Sequence, residues 1–154
     1  RRQRQMCIRD RTGRLDEEYF KEGFPLTEDE KIRIYQKDVR EIQLAKSAIR
    51  AGMETLIRKY QVSCEDIDQM YIAGGFGYKL DIEKAVQIGL LPEECKEKIT
   101  AVGNSSLQGA KKSLETDDAK ARWESLVRHS EEIELASSKE FQELYMEHML
   151  FPEE

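Results

Sequence analysis

Apolar residues recur at helical spacing from about Asp38 to Tyr60. Val39, Ile42, Ile49, Met53, Leu56 and Tyr60 fall on one stripe, so the pattern predicts a long amphipathic helix. Ala45, Ala48 and Gly52 border the stripe and are small enough for close packing against a sheet or a second helix. Gln43, Lys46, Ser47 and Arg50 lie off it and read as a solvated face. Residues 4–10 alternate as a strand would, residues 11–14 form a turn, and 15–30 read as a loop with at most one helical turn. Lys31–Tyr35 is a short strand with Ile32 and Ile34 on one face.

Downstream the period shortens and lengthens in alternation. Ser63 opens a turn through Asp66, a strand covers 69–73, and a helix runs over 81–89 with Asp81 as N-cap. Gly89 suits the end of that helix and Pro92 prevents its continuation. A strand at Ile99–Val102 leads to Asn104 or Ser105 as the cap of a helix over Leu107–Leu114. Residues 116–118 separate it from a further helix reaching His129. Glu132–Leu135 reads as a last strand. Ser137 or Ser138 then caps a final helix whose Phe141, Leu144, Tyr145, His148 and Met149 share one face, expected to dock on the sheet and complete the core. Strands at 69–73, 99–102 and 132–135 alternating with helices predict an α/β fold, a small sheet with flanking helices. Residues 1–30 are the N-terminal strand and loop or insertion, and 31–154 the main unit.

Charge changes this picture at one end. Residues 1–14 hold six arginines and one aspartate, which leaves −11 on the rest of a chain whose total is −6. An acidic body argues against a nucleic-acid surface. The arginine run is expected to be an exposed strand edge whose charges discourage pairing. No apolar run approaches the roughly 20 residues of a membrane span, and no signal peptide is evident. The first residue is not Met, and the chain reads as a piece of a longer protein. Cys7, Cys64 and Cys95 stand apart with no Cys-x-x-Cys pair, a pattern that suits a reducing cytosol and offers no zinc or iron–sulfur spacing. His129 and His148 read as surface or packing histidines.

The candidate chemistry lies in Met70–Tyr78, where an apolar strand runs into Gly74, Gly75 and Gly77. Without Cβ atoms the main chain can approach a flat ring or a sugar and adopt positive φ. The spacing is neither a Walker A loop nor the dinucleotide fingerprint. A purely structural tight turn is the plain alternative.

Three motifs in order, QLAKSAIRAG, YIAGGFG and VGNSSLQGA, resemble the second half of the acetate and sugar kinase, heat-shock chaperone and actin superfamily of ATPases. With QKDVREI, LDIEKAVQIGLLP and the ending FQELYMEHMLFP, residues 31–152 resemble the C-terminal ATPase region of reductive activators of corrinoid-dependent enzymes. The resemblance implies one lobe of the actin-like ATPase fold, on the adenosine side of the nucleotide cleft. It places Gly74, Gly75 and Gly77 against adenosine and Tyr78 beside the adenine. It puts Gln43 and Lys46 where chaperone relatives contact the ribose, with Gln replacing a glutamate, and Asn104 and Ser105 where they close the adenine pocket. The implied nucleotide is ATP or ADP with Mg, whose ligands are not in this chain. A 2Fe–2S cluster is expected only in an N-terminal part absent here. The implied partner is the corrinoid protein of a methyltransferase system, reduced from Co(II) to Co(I) in the cytoplasm. By itself the chain is expected to lack activity. A homodimerisation or docking module with the same fold, and an α/β scaffold with a structural glycine turn, are the alternatives.

Overall fold

The structure, a computed structural model, describes residues 11–153. The expected strand at 4–10 lies outside them. A single 3-10 turn at Glu17–Tyr19 precedes strand β1 (Phe24–Pro25), which pairs antiparallel with β2 (Arg33–Ile34). Half of that hairpin therefore comes from the stretch read as loop. Gly23 makes it possible at φ +72°, where a Cβ would sit 2.8 Å from the Ile34 carbonyl oxygen.

Helix α1 (Gln36–Lys59) starts where the Tyr35 N–H donates to Asp38 Oδ2 at 2.8 Å. Strand β3 (Met70–Ala73) follows, then α2 (Gly75–Tyr78), a single turn, and α3 (Ile82–Gln87), whose N-cap Asp81 accepts from the Lys84 N–H. A 3-10 segment, Glu93–Lys98, leads into β4 (Ile99–Gly103). Asn104 caps α4 (Ser105–Glu115); α5 (Ala119–Arg128) and α6 (Lys139–Glu147) complete the order.

Strands β3 and β4 are parallel, with Met70 opposite Ile99 and Ile72 opposite Ala101. The register slips by one residue between Ile72 and Ala73, so Ala73 faces Gly103. The expected third strand at 132–135 is absent. That segment forms no ladder, and Leu135 instead packs over Gly52 of α1, 3.6 Å from where a Cβ would stand. Ala85, Leu90 and Leu91 form the core between α3 and the sheet, with Met53, Ile72 and Ile99 against it.

Two expectations about helix faces are overturned. In α1 the buried side is the polar row Gln43, Lys46 and Ser47, with Val39, Ala51 and Thr55, while Ile42, Ile49, Leu56 and Tyr60 remain exposed. The row is buried because α6 packs across it and offers main-chain carbonyls to the polar ends. Helix α6 does dock through Leu144, which is 2% exposed, but on α1 rather than on the sheet.

Candidate functional site

Two polar constructions organise the molecule: a clasp around α1, and the turn at the carboxyl ends of β3 and β4.

In the clasp, α6 ends at Glu147 and its last carbonyls need partners. The Ser47 hydroxyl donates to the Tyr145 carbonyl. Lys46 Nζ donates to the carbonyls of His148 at 2.6 Å and Leu150 at 2.7 Å, and lies 5.0 Å from the centre of the Phe151 ring. Gln43 Nε2 donates to the carbonyls of Met149 at 2.7 Å and Thr12 at 2.9 Å. Phe151 N–H donates to the Arg11 carbonyl, and Arg11 returns a bond to the Phe151 carbonyl and an ion pair to Glu153. Arg11 thus bonds to the 151–153 segment, while the expected strand edge over residues 4–10 lies outside the described residues. Gly13 lets the two ends meet: at φ +73° its missing Cβ would lie 2.7 Å from the Phe151 ring. Burial pushes the Lys46 ammonium down to about 8, and the neighbouring Arg50 charge adds to the effect. A cavity of about 280 Å³ opens beside Lys46, Arg50, Gly89 and His148. Burial is the largest influence on the Glu54 carboxyl and acts to raise it, but the Arg50 hydrogen bond at 2.7 Å, the nearby His148 and the Arg50 charge together hold the group below its ordinary value. His148 Nε2 lies 3.0 Å from Glu54 Oε1 but off the line of a hydrogen bond.

The glycine turn is built differently. Gly74 adopts φ +96° and ψ 166°, open to glycine alone, and its N–H donates to the Gly103 carbonyl at 2.6 Å. A Cβ added at Gly74 or Gly75 would meet nothing within 4 Å, so the main chain there is bare. Gly77 is a packing glycine, since a Cβ would fall 2.3 Å from Ile72 Cγ2. Tyr78 is 67% exposed, with its ring edge near Gly103. Asn104 Oδ1 accepts from the Leu107 N–H at 2.9 Å, which makes Asn104 the cap, and Ser105 begins α4, exposed beside it.

The structure therefore brings Gly74, Gly75, Gly77 and Tyr78 together with Asn104 and Ser105. It places Gln43 and Lys46 elsewhere, inside the clasp, with their polar ends taken by carbonyls. The turn fits a nucleoside on one observation: a ring or sugar would meet main chain with no side chain over it. Sequence reasoning missed the partners Ser47, Arg11 and Gly13; nothing in their spacing links residues so far apart. It also missed the bond between Cys64 and Cys95. Among the described residues no three His, Cys, Asp or Glu side chains gather as a metal site, and no helix is long and apolar enough to cross a membrane.

Comparison with known proteins now adds to this geometry. Residues 3–154 match the family model described as the C-terminal domain of RACo, the ASKHA domain. A corrinoid activation enzyme, RamQ of Eubacterium limosum, is 36% identical over 124 residues, which is 80% of this chain and 21% of that protein. A Methanosarcina barkeri reductase named for the Co(II) methylated amine-specific corrinoid protein is 32% identical over 120 residues, 75% of this chain and 22% of that one. A solved structure titled a reductive activator for corrinoid, iron–sulfur protein superposes with a TM-score of 0.79 at 35% identity, over 94% of this chain and 26% of that chain. The chain spans about a fifth of the length of the curated relatives it matches. It has the actin-like fold of that superfamily in one lobe, and it belongs to the family of the C-terminal ASKHA domain of RACo.

Proposed function

We propose that this chain is the nucleotide-binding C-terminal part of an ATP-dependent activator that reduces a Co(II) corrinoid protein of a methyltransferase system to Co(I) in the cytoplasm. The observation that carries the reading is the bare main chain at Gly74 and Gly75, at the carboxyl end of a parallel strand pair, where α/β folds take their ligands. In this reading residues 31–154 are the adenosine-side lobe. The nucleoside lies along Gly74–Gly77, the Tyr78 ring covers the base, and Asn104 and Ser105 close the far side. The lobe's work is to bind and orient. ATP supplies the free energy, while Mg ligands and the iron–sulfur cluster belong to other parts of the activator. A ribose role for Gln43 and Lys46 belongs to this proposal only with the clasp open, because closed it buries both side chains and commits Gln43 Nε2 and Lys46 Nζ to two carbonyls each.

ADP titration followed by amide NMR tests the reading. Shifts are expected at residues 74–78 and 103–105 with a dissociation constant of about 1 mM, or roughly −4 kcal/mol, because half a cleft leaves the phosphates without partners. Silence at several millimolar, or shifts confined to the clasp, would sink it.

A second reading, a docking or homodimerising module, rests on α4 and α5. Neither helix has a buried residue, and Leu107, Leu114, Trp123, Leu126 and Val127 are exposed. Sedimentation of the chain across a concentration series separates dimer from monomer.

A further inference from the structure

Cys64 lies in the loop after α1 and Cys95 in the 3-10 segment before β4, and their sulfurs are bonded with Cα atoms 5.7 Å apart. The bond joins the two segments that lead into β3 and β4. It therefore ties the amino ends of the strand pair, at the opposite end from the glycine turn. Hydrogen bonds run alongside it. Lys98 Nζ donates to the carbonyls of Cys64 at 2.7 Å and Glu65 at 3.0 Å, and Gln69 Nε2 donates to Thr100 Oγ1 at 2.7 Å and to the Lys98 carbonyl. The strand entry is thus held twice, and it keeps its register if the covalent tie opens.

The two half-cystines are not equivalent. Cys95 is 0% exposed, whereas Cys64 is part-exposed in its loop. Access therefore selects the Cys64 sulfur as the one a reductant in solution reaches first.

We propose that Cys64–Cys95 is a reversible thiol–disulfide exchange site, with the Cys64 sulfur as the point of attack and a dithiol as co-reactant. One thiolate of the dithiol attacks Cys64 Sγ. The Sγ–Sγ bond breaks, and Cys95 leaves as a thiolate that takes up a proton. The second thiol of the reductant then attacks the mixed disulfide and releases the Cys64 thiolate, which is protonated in turn. Two electrons pass to the protein pair, and the reductant ends as a disulfide. The oxidised form pins the strand entry covalently; the reduced form leaves it to Lys98 and Gln69.

The test uses the 154-residue chain carrying Cys7→Ser, which removes the third thiol. Peptide mapping of protein prepared without reductant should find the segments of Cys64 and Cys95 linked, and finding them unlinked would overturn the proposal. Dithiothreitol at millimolar concentration, followed by iodoacetamide, should add two alkyl groups to the folded chain with its circular dichroism unchanged. Oxidised dithiothreitol should restore the link. A bond that yields only after unfolding would be a fixed staple and would refute exchange. Cys64 in a Cys95→Ser variant should alkylate at least about tenfold faster than Cys95 in a Cys64→Ser variant, since a buried thiol reacts through local opening. Equal rates would overturn Cys64 as the point of attack. Amide exchange at Tyr71 and Ala101 should speed up several-fold on reduction; unchanged protection would show that the bond does not pin the strands.

Discussion

The clasp and the glycine turn answer the same physical problem in opposite ways. Both carry polar groups that need partners. In the clasp, side-chain donors on α1 meet main-chain carbonyls of the 145–150 segment, and Lys46, Gln43 and Ser47 are all at least 98% shielded from solvent. At the turn, main chain is left uncovered, and Phe76 and Tyr78 stand 78% and 67% exposed. A satisfied, buried donor has already made its bond, and a ligand must displace that bond to use it. An uncovered backbone displaces only water. The difference separates two sets of residues that one family resemblance assigns to a single nucleotide.

The strongest way to probe this contrast is to damage the clasp and watch the turn. Leu144→Ala should cost about 2–5 kcal/mol in denaturant unfolding, whereas Glu143→Ala, on the exposed side, should stay within about 0.5 kcal/mol. Equal midpoints would show α6 to be peripheral.

Next in size is the titration of Lys46. Its folded-state value is about 8 against an ordinary 10.5, so between those values the unfolded chain binds the extra proton and stability rises with pH. The gain is up to about 3 kcal/mol across pH 8 to 10.5. Thermal or urea unfolding of the parent beside Lys46→Met over that range should isolate it, because other groups titrate in both proteins. Parallel curves would show that the buried amine does not govern the clasp. A Lys46→Met chain that stays folded but loses ADP shifts at residues 74–78 would merge the two regions into one site.

Smaller effects sort the glycines. Gly77→Ala should cost about 1–3 kcal/mol by overpacking against Ile72. Gly74→Ala should cost about 1–2 kcal/mol through its positive φ. Gly75→Ala meets open space and should change stability by no more than about 0.5 kcal/mol. Gly75→Val, with a branched side chain over the backbone, should abolish the ADP shifts while the chain stays folded. Retained shifts would move the nucleoside away from the turn.

What could be read from the chain followed from local rules. The glycine turn, the Asp81 cap, the caps narrowed to Asn104 or Ser105 and to Ser137 or Ser138, and the strands before the turn and before α4 depend on neighbours a few residues away. The face of α1 could not be read this way. Periodicity says that one side is apolar, but not that carbonyls from a segment about 100 positions later will cover the polar side. The expected strand at 132–135 has suitable residues but no neighbour to pair with, and Leu135 goes to Gly52 instead. Cys64 and Cys95, 31 positions apart, carry no local mark of their bond. Among the site residues, those at the turn were legible together, while the company kept by Gln43 and Lys46 was not.

The polar row of α1 also matters while the chain is being made. Its bonds to residues 145–150 span 98 to 106 positions, so α1 leaves the ribosome long before its partners exist. At synthesis rates of about 5–20 residues per second the wait is roughly 5–20 s. With leucines in that row as well, α1 would show a second apolar face through that interval, beside the stripe of Ile42, Ile49 and Leu56. Gln43, Lys46 and Ser47 spend the interval hydrogen-bonded to water, and give that water up only when residues 145–150 arrive.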